Sequence, residues 1–115
     1  MKGQLSDKAR LYHILDAIQS IEAYVEGVSF EDFSSSSEKT FATVKQLEII
    51  GEAANRITET TKNLWSDIEW PKIIALRNIL VHEYFIIDHS IIWEIIGDEM
   101  ISFKIQIEEI LDSIN

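Results

Sequence analysis

Trp93, Ile96, Met100, Phe103, Ile107, Ile110 and Ile114 succeed one another at spacings of three and four residues. A helix of 3.6 residues per turn gathers such positions on one side, whereas a strand would scatter them over two faces. The C-terminal part of the chain must therefore be an amphipathic helix, and Asp88 is placed to cap its start. Ile92, Ile95, Ile105 and Leu111 widen the stripe. A face this broad covers a core of its own and leaves apolar area for a second subunit.

The same spacing recurs twice upstream. Leu11, Ile14, Leu15, Ile18, Ile21 and Val25 predict a first helix over residues 6–26, with Ser6 or Asp7 as cap and Gly27 as stop. Phe41, Val44, Leu47, Ile50, Ala54 and Ile57 predict a second over residues 38–60. Gly51 sits in the middle of that helix, where glycine costs about 1 kcal/mol relative to alanine. With Ala53 and Ala54 beside it, Gly51 points to the close approach of another helix.

Residues 27–37 read as a connection, with Val28, Phe30 and Phe33 at the core edge, a polar Ser34 to Ser37 loop, and Ser37 capping the second helix. Residues 61–69 read as a loop or ragged helix end, with Leu64, Trp65 and Ile68 buried over the bundle. Trp70-Pro71 opens a third, short helix ending near His82, because the first turn does not need the N–H that proline lacks. Strand alternation, hairpin dipeptides and repeats are absent. The expected fold is all-α: one domain over residues 1–115, an up-and-down antiparallel bundle of four main helices.

The chain carries 20 acidic residues against 10 basic ones, a net charge of −10. That is the wrong sign for coating nucleic acid by charge alone. From Pro71 to Tyr84 the balance is locally neutral to basic, with Lys72 and Arg77 against Glu83, which is compatible with a local phosphate contact. The absence of cysteine excludes disulfides, thiolate metal sites and cysteine nucleophiles, and fits a reducing cytoplasm. No apolar run is long enough to span a bilayer, so no membrane role is expected. The sequence lacks HExxH, GxGxxG, a P-loop and a Gly-x-Ser-x-Gly elbow. His82 and His89 are a weak metal pair, and His13 reads as a surface or boundary residue of the first helix. No cofactor is expected.

The chemistry concentrates between Arg77 and Tyr84. Asn78 and His82 are four apart and share a face if the helix persists. A histidine at a helix C-terminus titrates near neutrality, as a general acid or base must. Arg77 supplies a permanent cation with a planar fork that matches phosphate oxygens. This set suits RNA cleavage by attack of a 2′-OH on its own phosphorus. That reaction takes a base, an acid and a cation on the phosphorane, and no metal. One chain brings one such histidine; two chains meeting here bring both acid and base. Taken alone, the pattern is also that of a finished helix end, with Arg77 paired to a helix acid and His82 and Tyr84 packed.

Arg77-Asn78-Ile79-Leu80-Val81-His82-Glu83-Tyr84 resembles the Arg-x4-6-His motif of the HEPN superfamily. Leu47 to Arg56 is similar to that family's second-helix signature. Trp70 to Ile74, Tyr84-Phe85-x-x-Asp88 and Trp93 to Ile96 also fit, so the resemblance spans residues 40–110. The subgroup it resembles is the HepT-like toxin of HEPN/MNT toxin–antitoxin pairs. The resemblance implies an all-α homodimer that cuts cellular RNA, tRNA included, without metal. Arg77 and His82 of both chains would be catalytic and Asn78 would support them. It further implies a minimal nucleotidyltransferase antitoxin that uses ATP and transfers AMP to Tyr84. The acidic surface and the broad fourth helix leave a second reading open, that of a non-catalytic subunit docking a nucleotidyltransferase. Growth inhibition by the chain expressed alone separates the two.

Overall fold

The computed structural model of the chain describes residues 6–79 and 88–115, and every regular element among them is helical. Helix α1 (Asp7–Val25) begins at Ser6, whose Oγ accepts the Ala9 amide at 3.1 Å. It stops before Gly27, which turns the chain at φ 71. Helix α2 (Phe30–Ser34) is a single turn and a half in the expected connection. Next come helix α3 (Ser37–Arg56), α4 (Glu59–Leu64) and α5 (Trp70–Ile74), which runs into a 3-10 turn over Ala75–Asn78. Beyond Asp88 come α6 (His89–Glu94), a π turn (Ile95–Glu99) and α7 (Met100–Ile114).

Three long rods form the frame, and side-chain contacts fix their directions. Near the start of α1, Tyr12 Oη accepts from Asn115 Nδ2 at 3.0 Å, while Glu22, near its end, pairs with Lys104 in the first half of α7 at 2.9 Å. The two rods are antiparallel. Asp7, at the start of α1, meets Thr58, just beyond the end of α3, so these two are antiparallel as well. Leu11, Ile14, Ile18 and Ile21 bury against Val44, Leu47, Ile50 and Ala54, with Met100, Phe103, Ile107 and Ile110 closing the core. Each isoleucine or leucine so buried contributes about 1.5–3 kcal/mol over its exposed state.

Several sequence expectations need correction. The cap of α3 is Ser36, whose Oγ accepts the Lys39 amide at 3.2 Å, so Ser37 is its first helical residue. Phe41 is 53 % exposed, because the inner face of α3 opens with Thr40 and Thr43. Thr40 donates its hydroxyl to the Phe33 carbonyl at 3.1 Å, which makes a hydroxyl acceptable there. Phe33 is no edge residue: it is fully buried, with the Trp93 ring 5.1 Å away. Residues 59–64 are helix, and Leu64 is 76 % exposed, whereas Ile68 and Trp70 carry the burial expected of that stretch. On the C-terminal stripe Ile114 is exposed, and the inward residue of α6 is Ile92, with Trp93 and Ile96 half-buried. Gly97, at φ −84 and ψ −122, breaks the helical progression there.

The α1–α4 junction contains an acid-sensitive staple. Asp7 accepts the Thr58 amide at 3.0 Å and hydroxyl at 2.6 Å, and the Thr61 hydroxyl. Partial burial pushes the carboxyl up, but these hydrogen bonds and the nearby Lys62 outweigh it and hold Asp7 below its ordinary 3.8. A lowered folded value adds stability that is present above the unfolded value and fades as pH falls through the folded one. Melting temperature should therefore drop more steeply below about pH 4 for the native chain than for Asp7→Asn. Parallel melting curves across that range would remove Asp7 from the acid response.

Candidate active site

The predicted third helix divides into two parts. α5 holds Pro71 in its first turn, as expected, and its Trp70 is buried with Nε1 donating to the Trp65 carbonyl at 3.1 Å. The α-helix ends at Ile74 and the chain tightens into the 3-10 turn that carries Arg77 and Asn78. A 3-10 turn eclipses side chains three apart rather than staggering them. His82 and Tyr84 lie outside the described residues. Asn78 is exposed, and Arg77 is half-buried.

What positions Arg77 is Gly51. A Cβ at position 51 would stand 2.4 Å from the Arg77 amide nitrogen, 2.9 Å from its Cβ and 3.0 Å from its Cα. No real Cβ tolerates such distances, so glycine is the residue that lets the 3-10 turn lie directly on α3. The close approach inferred from Gly51 is present, and its partner is the candidate site itself. The main chain of Arg77 is thereby held against a rigid helix.

Two charged neighbours stand beside it. Glu52, the next residue on α3, places Oε2 3.9 Å from Arg77 Nη1. Its other oxygen, Oε1, accepts from Arg56 Nε at 3.0 Å. The 3.9 Å contact is an ion pair without a hydrogen bond, since N–H···O bonds lie near 2.9 Å. The donors of the Arg77 fork are thus not taken up by Glu52. Sequence reasoning assigned neither Glu52 nor Arg56 a role. The available signal was positional, since a glycine that admits the site into α3 brings its own helical neighbours to the same place.

A cleft of about 350 Å³ opens between Ile73 and Leu76 and the Met100 and Phe103 side chains of α7. Its rim bears Asp67, Glu69 and Glu99 against Lys72 alone, and Lys72 is paired with Glu99. Arg77 does not line it. Three carboxylates to one ammonium repel a polyanion, so this cleft does not suit a phosphate. Among the described residues, no three metal-ligating side chains come together, and no helix is long and apolar enough to cross a membrane.

Comparison with known proteins identifies the family. Residues 14–110 match the family model described as "Ribonuclease HepT-like". A chain from Caldanaerobacter subterraneus subsp. tengcongensis named "Putative RNase" is 40 % identical over 101 residues, 88 % of this chain and 90 % of that one. "Probable ribonuclease HepT" of Thermococcus cleftensis is 34 % identical over 105 residues, 91 % of this chain and 96 % of that one. A "Putative RNase" of Methanocaldococcus jannaschii is 31 % identical over 101 residues, 88 % of this chain and 93 % of that one. No solved structure matches the chain. With the family model covering everything from the middle of α1 to the end of the α7 core, this chain belongs to the HepT-like ribonuclease family.

Proposed function

We propose that the chain is a metal-independent endoribonuclease toxin that cuts cellular RNA, tRNA among its substrates, at a site shared by two copies. The observation that carries this reading is the posture of Arg77. Its backbone is locked on Gly51, its side chain is 35 % exposed, and its fork is not hydrogen-bonded to the carboxylate beside it. A guanidinium so held meets a phosphate without first rearranging the main chain.

In the reaction, a His82 imidazole takes the proton of the ribose 2′-OH. The 2′-oxygen then attacks the adjacent phosphorus. The bond to the 5′-oxygen breaks, and a protonated His82, supplied by the second copy, gives that oxygen its proton. Arg77 neutralises the non-bridging oxygens as charge builds on them, and Asn78 supports the imidazole. The products are a 2′,3′-cyclic phosphate and a 5′-OH. Ile91, Ile101 and Ile105, each more than half exposed on α6 and α7, offer apolar area for the second copy. A minimal nucleotidyltransferase antitoxin using ATP would transfer AMP to the Tyr84 hydroxyl and release pyrophosphate. The new phosphodiester anion would compete with RNA for the Arg77 and His82 cations.

The test is product chemistry. The purified chain should cut RNA in the presence of EDTA and leave 2′,3′-cyclic phosphate and 5′-hydroxyl ends. Cleavage that stops with chelator, or leaves 5′-phosphates, would sink the proposal.

A further inference from the structure

We propose that Glu52 is a positioning residue for Arg77, tethered for that task by Arg56. The inference rests on the reading of Arg77 as the cation that meets the scissile phosphate. Gly51 fixes where the Arg77 main chain lies, but it cannot fix where a long, flexible side chain points. The next residue of α3 can. Glu52 faces Arg77 Nη1 with one carboxylate oxygen at 3.9 Å and holds Arg56 Nε with the other at 3.0 Å.

The two contacts differ in kind, and the difference matters. Arg56 is four residues from Glu52 on the same helix face, so its hydrogen bond sets the carboxylate without involving Arg77. A carboxylate already bonded on one side leans toward the second guanidinium without capturing it. At 3.9 Å its field directs the Arg77 side chain while leaving the fork donors for a phosphate. An untethered Glu52 could close on Arg77 and compete with the substrate. The chain has three arginines, Arg10, Arg56 and Arg77, and two of them converge on this carboxylate.

The experiment compares the native chain with Glu52→Gln, which keeps the size of the side chain and removes its charge. Glu52→Gln should lower kcat about tenfold, on the scale of a small misplacement of a reacting group, with KM changed less than about twofold. In an Arg77→Lys background the same change should have no effect, because an ammonium has no fork to orient. Three arginines give three Nε–Hε signals in a nitrogen-15 correlation spectrum, and Glu52→Gln should move those of Arg56 and Arg77 but not that of Arg10. An active Glu52→Gln enzyme with native kcat, a change in KM alone, or an Arg77 signal that stays in place would each overturn the role of Glu52. A native chain that cuts no RNA overturns the ribonuclease reading, and the role of Glu52 in cleavage with it.

Discussion

Arg77→Ala is expected to lower single-turnover RNA cleavage by at least about 10²–10³-fold, the usual cost of losing one charge-stabilising donor from a transition state. Stability should barely change. The ion pair to Glu52 is long, at 3.9 Å, and lies between partly exposed groups. Such pairs contribute about 0–1 kcal/mol. The aliphatic stem of Arg77 is half-buried, so a small packing loss adds to that. Cleavage kinetics and thermal melting on the same preparation check both halves. A folded Arg77→Ala chain that cuts RNA at the native rate would remove Arg77 from the chemistry.

Gly51→Ala should combine a stability defect with an activity defect, from a residue that touches no substrate. The added methyl would have to occupy space 2.4 Å from a backbone nitrogen, and a backbone cannot swing aside as a side chain can. Overpacking of this kind costs about 1–3 kcal/mol. Alanine returns up to about 1 kcal/mol through its helix propensity, because Gly51 lies inside α3. A net loss of up to about 2 kcal/mol should lower the melting temperature by several degrees, up to about 16 °C at roughly 4–8 °C per kcal/mol. The alternative to that loss is for the 3-10 turn to lift off α3, which displaces Arg77. Either way, cleavage at a temperature where the variant is folded should fall. A Gly51→Ala chain more stable than native would show that the contact is loose and that propensity decides.

Periodicity made the frame legible, and chemistry made the candidate site partly so. On α1, Leu11, Ile14, Ile18 and Ile21 are buried as the spacing requires while Leu15 and Val25 are half-buried, and the caps at Ser6 and Asp88 stand where short oxygen-bearing side chains occur. Phe41 was misplaced because hydrophobicity alone ranks phenylalanine above threonine. In the fold, the Phe33 carbonyl gives Thr40 a partner that no local pattern announces. Leu64 was misplaced because α4 has no buried residue, so its one leucine has no face to serve. Gly51 was read correctly as a contact point, yet its partner, Arg77, is distant in the chain and could not be named from spacing. Glu52 and Arg56 stayed invisible for the same reason. They look like an ordinary exposed i,i+4 pair until the 3-10 turn is laid beside them.

The π turn between α6 and α7 indexes one helix against the other. Gly97, with its non-helical φ and ψ, breaks the run there, and one residue is worth about 100° of rotation about a helix axis. Ile92 on α6 and Met100 and Phe103 on α7 all face the core across this break. Removing a single residue from Ile95–Glu99 would turn α6 by about 100° relative to α7. Ile92 would rotate out of the core, and Trp93 would lose its seat on Phe33. Which face α6 turns to the core is thus geared to the residue count of one short segment, a quantity that composition and hydropathy do not record.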